Sequence, residues 1–326
     1  MPEFKIQNFN QLKIHSQYSI CEGAIKIEDL KDFAKENEIK SLAISDTSNL
    51  CGALEFSEKI SKIGTQPIIG TQINFKYEDT IGLLPLYALN EEGYKKIIEL
   101  SSLSYLKNDE LSDPHLDFNV LLEKNNGVAL FSGTVNGLFG QLFDKGKFIE
   151  IKKLYSELKL KYNQNFYIEI QRPGDLNEIS FEQYNLSRSL ELEIPIIATN
   201  EVFYINKDMH EAHDALICIK NKTYVNDKNR LRFSNQHYLK NDNEMSKLVA
   251  DLPEALENNY NFPFRCNFRP LFSNPILPNI SYEKDGNDDE NLKKESLSSL
   301  KEKFEKIFKI KDENLLSNKT YVNYKD

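Results

Sequence analysis

Lys13, His15 and Glu22 are the residues near the start of the chain whose types and spacing could support chemistry. Apolar and polar residues alternate up to His15, so a strand here would place Lys13 and His15 on one face, with Glu22 in the loop that follows. An imidazole and a carboxylate at a strand end are typical of the edge of a metal site. Such a site would have a second histidine at the position of Lys13, and a cation does not ligate a cation.

Two further carboxylates follow apolar segments that read as strands. Asp46 comes after residues 41–45, and Glu201 comes after residues 194–199. With His15 and Glu22 they would give one imidazole and three carboxylates, which is enough for a catalytic divalent cation with an open position. The alternative is a hydrogen-bonded core histidine with acids that cap loops. Spacing alone favours this alternative.

The other histidines give weaker signals. His210 and His213 lie three residues apart on a predicted helix and could share a face, but no third metal ligand is implied, so helix packing or capping is favoured. His115 and His237 read as loop residues. No Ser/His/Asp or Cys/His order stands out, and the glycines form no phosphate-binding loop.

Composition excludes several classes of function. The chain has 326 residues and a formal net charge of −9, which opposes autonomous binding to a phosphate backbone. Its cysteines are scattered without CxxC pairs, as in a reduced cytosolic protein, and they are Cys21, Cys51, Cys218 and Cys266. No apolar run has the length of a signal peptide core or a membrane span. We therefore expect a cytoplasmic protein that does not associate with a membrane.

Short apolar strands alternate with amphipathic helices through the first two thirds of the chain. After the opening strand, the predicted strands are 41–45, 67–75, 83–89, 128–132, 166–170 and 194–199. The predicted helices are 27–39, 50–63, 91–105, 120–124, helical stretches up to about 162, 176–192 and 209–220. This alternation favours an α/β fold, either a parallel barrel or a doubly wound sheet. In both, polar residues at the carboxyl ends of the strands form the site.

The last part of the chain differs in composition. Prolines punctuate residues 253–278, which places a boundary near 270–280. A charged tail follows, with one amphipathic helix whose predicted apolar positions are Leu292, Leu297, Leu300, Phe304 and Ile307.

Several strings in the chain, taken in order, carry a resemblance to a known family. They are residues Lys13–Ala24, Ile44–Ala53, Pro67–Gly70, Asn90–Tyr94, Leu130–Gly133, Ile196–Asn200, Ala212–Ile219 and Leu252–Asn258. Over about residues 5–280 the chain closely resembles the N-terminal part of the alpha subunits of bacterial DNA polymerase III, the C-family replicative polymerases. In that family this part is a PHP (polymerase and histidinol phosphatase) domain.

The resemblance implies a fold and a domain division. The implied fold is α/β, a PHP-type distorted seven-stranded parallel (β/α) barrel with a short helical C-terminal extension. Residues 1–275 would form the PHP domain, and residues 276–326 a linker with the first elements of a truncated palm region. Complete members bind a cluster of metal ions, and with Zn, Mn or Mg they can support phosphoesterase or 3′–5′ exonuclease activity.

Most of the family's ligand positions carry other residue types here. Histidines are replaced by Lys13, Thr47, Leu83 (or its neighbour) and Phe203, a glutamate by Gln72, a cysteine by Thr134, and aspartates by Glu22 and Glu201. His15 and Asp46 are retained. We therefore expect a vestigial site lined by Lys13, His15, Glu22, Asp46, Thr47, Gln72, Thr134, Glu201 and Phe203, with no bound metal. Lys13 could pair there with Glu22, Asp46 or Glu201. If metal binding persists, the ligands would be His15, Glu22, Asp46 and Glu201.

The resemblance also implies a function. The parent protein would be a Mg-dependent DNA-directed DNA polymerase, a nucleotidyltransferase whose active site lies beyond this chain, so no catalytic residue is expected here. The chain would support the rest of the alpha subunit and offer a docking surface to the proofreading exonuclease (epsilon) subunit. It would meet DNA only through the missing polymerase region. The alternative is a residual metal-dependent phosphoesterase or 3′–5′ exonuclease.

Overall fold

A computed structural model describes residues 9–108, 113–275, 288–309, 315 and 317–325. The chain divides into two compact units, Met1–Phe272 and Ser273–Asp326. The first unit contains the sheet and the candidate site. The predicted division after residue 275 and the assignment of the second unit to a palm region stay predictions.

The strands of the described residues form a curled seven-stranded sheet and a two-stranded one. They are β1 (Lys13–Ile14), β2 (Ser41–Thr47), β3 (Gln66–Tyr77), β4 (Thr80–Ala88), β5 (Leu116–Asp117), β6 (Val128–Phe131), β7 (Phe166–Ile170), β8 (Ile196–Ala198) and β9 (Glu201–Val202). The large sheet has the order β2-β3-β4-β6-β7-β8, and β5 pairs with β3.

The sheet is mostly parallel, with one reversed strand. Neighbours pair in parallel except that β4 runs antiparallel to both β3 and β6. Only Glu78 and Asp79 separate β3 from β4, and Glu78 adopts a φ of 53°. A two-residue connection reverses the chain, whereas a parallel neighbour needs a crossover of a dozen or more residues. The predicted α/β class is confirmed, and the all-parallel prediction is corrected at β4.

Strand β1 lies between the two edges of the large sheet. Lys13 pairs in parallel register with Glu201 of β9, which follows β8 after two residues. On the other side, Gln11 bridges to Leu42 of β2. The sheet therefore curls towards closure, and the carboxyl ends of its parallel strands face a common space.

Helices follow most strands, as predicted. Those in the first unit are α1 (Ile27–Glu36), α2 (Ala53–Ser61), α3 (Glu91–Leu106), α4 (Phe118–Glu123), α5 (Leu138–Asp144), α6 (Phe148–Tyr162), α7 (Glu178–Leu192), α8 (His210–Asn221), α9 (Asp242–Leu248) and α10 (Pro253–Asn261). Local signals start several of them. The Asn90 side chain accepts from the Gly93 amide at the start of α3, and Asn241 and Glu244 form a capping box at α9.

The two faces of the sheet bury different sets of residues. On one face, Ile44 and Ile69 pack with Phe56 of α2 and Leu30 of α1. The inner face carries Tyr87, Phe131 and Tyr167, and Phe262, which follows α10, packs onto them in an aromatic layer with ring centroids 4.6–5.9 Å apart. Because side chains alternate along a strand, residues two positions further along share this inner face. The aromatic layer therefore forms the floor below the candidate site.

The second unit is helical in its described part. The predicted amphipathic helix is present as α11 (Asp288–Phe308), and α12 (Lys319–Lys325) follows it. Phe304 is buried against Leu315 and Tyr321, with Leu300 partly buried beside them. Leu292 and Ile307, predicted on the same face, are exposed. No helix within the described ranges is long and apolar enough to cross a membrane.

Candidate functional site

The site lies at the carboxyl ends of the inner-face strands. Gln72 of β3 is two positions beyond Gly70, which packs against Tyr87, and Glu169 of β7 is two beyond Tyr167. Pairing of β1 with β9 brings Lys13 beside Glu201. The strand period and the parallel register thus place polar side chains above the aromatic floor.

Lys13 is the centre of this arrangement. Its ammonium nitrogen lies 3.4 Å from Glu201 Oε1 and 3.5 Å from Glu169 Oε1, and the residue is 1% exposed. Glu169 Oε1 also accepts from Gln171 Nε2 at 2.7 Å and from the Thr199 hydroxyl. A buried lysine is stable as a cation only when carboxylates and hydrogen bonds compensate its desolvation. Glu169 and Glu201 provide that compensation.

Glu201 is held in its ionised form. Burial by itself raises the pKa of its carboxyl group, but the Lys13 charge, a hydrogen bond with His15 and the charge of His237 lower it. The net result is a pKa well below the usual range of a glutamate. Glu201 is therefore negatively charged throughout the physiological pH range.

Both ring nitrogens of His15 contact protein groups. Nε2 lies 2.8 Å from Gln72 Nε2 and 3.1 Å from Glu201 Oε1, and Nδ1 lies 3.3 Å from the Ser19 hydroxyl. The ring stacks on Phe203, with centroids 4.4 Å apart and planes at 27°. His15 is thus a hydrogen-bonded, stacked imidazole.

Glu22 lies at the mouth of the site. The Thr47 hydroxyl donates to Glu22 Oε2, and Lys220 of α8 pairs with Oε1. Burial raises the pKa of Glu22, while the charges of His15 and Lys220 lower it, and the lowering prevails. Lys220 is a partner that the sequence pattern did not indicate.

Asp46 lies away from the cavity wall and stabilises the preceding turn. It accepts hydrogen bonds from the Ser16 amide (2.7 Å), the Ser16 hydroxyl (2.8 Å) and the Ser19 hydroxyl (2.7 Å). Asp46 was predicted both to line the site and to ligate any residual metal. Its oxygens are instead occupied in fixing the turn between His15 and Glu22.

A cavity of about 120 Å³ opens above Lys13. Of the residues predicted to line the site, its walls contain all but Asp46: Lys13, His15, Glu22, Thr47, Gln72, Thr134, Glu201 and Phe203. Leu83, which stands at a family histidine position, also lines it, and Lys220 and Phe233 close the side nearest α8.

The remaining histidines have packing roles. His213 donates from Nε2 to the Glu22 carbonyl at 2.8 Å and stacks on Phe203, and His210 donates to the Phe233 carbonyl at 3.0 Å. Burial lowers the pKa of His213 to about 4, so the ring is neutral at physiological pH. These contacts agree with the predicted packing role of the pair.

Sequence reasoning missed two buried residues. Glu169, a single charge inside the apolar strand Phe166–Ile170, is the signal that could have revealed a partner for Lys13. His237 was read as a simple loop residue, but it is buried, and its Nδ1 lies 3.0 Å from the Glu201 carbonyl oxygen. His115, by contrast, lies in a loop as predicted, with Nδ1 2.8 Å from the Asp113 carbonyl oxygen.

The donor set does not fit a bound divalent ion. Across the ranges that the structure describes, no three His, Cys, Asp or Glu side chains are grouped so that they could hold a metal ion. The Lys13 ammonium lies within 3.5 Å of two carboxylates that a cation would need. The Gln72 amide nitrogen contacts both His15 Nε2, at 2.8 Å, and Glu201 Oε1, at 3.1 Å.

The PHP domain family model matches residues 11–173, half of the chain and the part that contains β1 to β7. The chain belongs to the PHP domain family. The predicted PHP-type fold is thereby confirmed, with β4 reversed as described.

Two longer relatives are both named DNA polymerase III subunit alpha. The chain is 33% identical over 318 residues to DNA polymerase III subunit alpha of Caulobacter vibrioides, covering 94% of the chain and 27% of the relative. It is 35% identical over 279 residues to DNA polymerase III subunit alpha of Rickettsia conorii, covering 84% of the chain and 23% of the relative. The chain therefore spans about a quarter of the length of these relatives.

A solved structure is similar at low identity. A two-domain protein from Bacteroides vulgatus, described as containing a predicted PHP-like metal-dependent phosphoesterase, aligns at 15% identity and a TM-score of 0.39. The alignment covers 78% of this chain and 63% of that one.

Proposed function

We propose that this chain is the N-terminal PHP region of a bacterial replicative DNA polymerase III alpha subunit, and that it acts there as a structural module without metal chemistry of its own. The alpha-subunit relatives, 33% and 35% identical over most of the chain, support this assignment. DNA-directed DNA synthesis, with its Mg ions and its DNA contacts, would belong to the rest of such a polypeptide. The site of action would be the bacterial cytoplasm.

The ion pairs of Lys13 with Glu169 and Glu201 are the observation that supports a structural role for this domain. An ammonium group at 3.4–3.5 Å from two buried carboxylates supplies the positive charge that a metal ion would otherwise supply. It gives the fold its charge balance but generates no nucleophilic water, because an ammonium does not polarise water as a divalent metal does. We therefore infer that the metal site is degenerate.

Metal content and hydrolytic activity test this proposal together. We expect the purified 326-residue chain, after dialysis against Mn²⁺ or Zn²⁺, to hold no stoichiometric metal. We also expect no hydrolysis of p-nitrophenyl phosphate or of 3′-labelled oligonucleotides above the background of a His15→Ala variant. Stoichiometric metal together with activity that His15→Ala abolishes would establish the residual phosphoesterase or exonuclease instead.

A docking role completes the proposal. The net charge of −9 opposes direct DNA binding and is compatible with a protein partner, for which we propose the proofreading exonuclease (epsilon) subunit. The test is size-exclusion chromatography of the chain mixed with the epsilon subunit from the same organism, at low and at physiological salt. Co-elution as one complex is expected. Separate elution under both conditions would remove epsilon as a partner of this region.

A further inference from the structure

A second, smaller cavity lies behind Glu169, between β7 and α7. Its volume is about 20 Å³, and its wall includes Glu169, Gln171 and Asn185. These three residues are 3%, 8% and 1% exposed, so all are more than nine-tenths buried. Each carries one polar atom without a hydrogen-bond partner in the described parts of the chain: Glu169 Oε2, Gln171 Oε1 and Asn185 Nδ2.

The other polar atoms of these side chains are fully engaged, which fixes their orientation. Glu169 Oε1 accepts from Gln171 Nε2 and from the Thr199 hydroxyl. Gln171 Nε2 also donates to Thr199 Oγ1 at 2.7 Å, so the amide nitrogen points at these acceptors and the amide oxygen is left as an acceptor.

Asn185 contributes the complementary group. The Tyr155 hydroxyl donates to Asn185 Oδ1 at 3.0 Å, which leaves the Nδ2 group as a donor. The cavity wall thus presents two acceptors and one donor. Buried polar atoms left without partners are costly, so native proteins rarely contain three around one cavity.

We propose that this cavity is a binding site for one buried water molecule that donates to Glu169 Oε2 and Gln171 Oε1 and accepts from Asn185 Nδ2. A cavity needs about 10–15 Å³ of such volume and two to four polar partners to hold a water, and both conditions are met. An apolar ligand would leave three polar atoms unpaired. A cation cannot accept a hydrogen bond from Asn185 Nδ2, and the N–H group would point at its positive charge, which is unfavourable.

The water connects the candidate site to helix α7. Through it, the second oxygen of Glu169 is hydrogen-bonded while the first pairs with Lys13 at 3.5 Å. The carboxylate is then held on both oxygens, which fixes its position relative to Lys13. The water site does not depend on the function proposed above.

The decisive experiment is a crystal structure of the 326-residue chain at a resolution that shows ordered water, from crystals grown in rubidium chloride. We expect one spherical density peak about 2.7–3.2 Å from all three atoms, without anomalous signal. A peak with rubidium anomalous signal would replace the water by a monovalent cation. A featureless cavity would overturn the proposal.

Solution measurements of long-lived internal waters by water relaxation dispersion give a second test. Asn185→Leu removes the donor and fills part of the cavity, so we expect one long-lived water fewer than in the parent chain. Gln183→Leu, on the exposed side of the same helix, is the matched control and keeps it. If Asn185→Leu does not fold, Gln171→Met removes an acceptor instead. An unchanged count in a folded variant would refute the site.

Discussion

Replacing Lys13 with methionine tests the charge balance of the candidate site. The substitution keeps most of the side-chain volume but removes the ammonium that lies 3.4 Å from Glu201 and 3.5 Å from Glu169. At an effective dielectric of about 20, each pair at this separation attracts by about 5 kcal/mol, and desolvation of the ions offsets much of that. Loss of one member of a buried pair costs about 3–5 kcal/mol in measured cases. We expect Lys13→Met to lower the free energy of unfolding by about 4 kcal/mol at pH 7.

The destabilisation should depend on pH with a definite sign. In the parent chain the pKa of Glu201 is lowered, so its stabilising contribution is present above the pKa of an unfolded glutamate and is lost as the pH falls. Lys13→Met removes the strongest of the interactions that lower the pKa of Glu201, so we expect this pKa to rise in the variant. Acid then protonates the folded variant and relieves the unpaired charge. We therefore expect the stability difference between Lys13→Met and the parent to shrink below about pH 5.

Urea unfolding followed by circular dichroism, at pH 7 and at pH 4.5, measures both effects. Lys95→Met is the matched control, because Lys95 pairs with Glu91 on the exposed surface of α3 and its loss should change stability little. The double variant Lys13→Met/Glu201→Gln should be more stable than Lys13→Met, because it removes one of the two unpaired carboxylates. The charge-balance role of Lys13 would be refuted if Lys13→Met lost as little stability as Lys95→Met. It would also be refuted if the loss of stability in Lys13→Met grew at low pH.

Three further substitutions have defined outcomes. Asp46→Asn should lower the free energy of unfolding by about 2–4 kcal/mol, because it weakens three hydrogen bonds to a buried carboxylate. Urea unfolding measures this change, and an unchanged stability would contradict the role of Asp46 in the turn. Because the pKa of His213 is lowered to about 4, the parent should lose stability as the pH falls from about 6.5 towards 4, by up to about 3 kcal/mol. His213→Gln should flatten that part of the pH profile, and an equally steep profile would exclude His213 as the cause. Lys220→Met should raise the pKa of Glu22, measurable by carbon NMR titration of its carboxyl group, and an unchanged titration would show that Lys220 contributes nothing.

The succession of elements was largely predictable because it depends on local patterns. Continuous apolar runs identified strands such as 166–170, and helical periodicity with capping residues identified helices such as 91–105, to within a few residues. The reversal of β4 was not predicted, because apolar alternation does not encode strand direction. The two-residue connection at Glu78 and Asp79 does indicate an antiparallel strand. It can be recognised only when the end of β3 and the start of β4 are both placed correctly.

The sequence by itself determined most of the residues that line the cavity: through the family resemblance it indicated Lys13, His15, Gln72 and Glu201, and the structure brings them together there. Only the tertiary structure decided what these residues contact. It paired Lys13 with Glu169, which lies in none of the strings that carry the resemblance, and it turned Asp46 away from the cavity towards Ser16 and Ser19. The physical reason is that strand register and sheet curvature set which buried charges lie within 3–4 Å of one another, and both arise from long-range packing that no local pattern encodes.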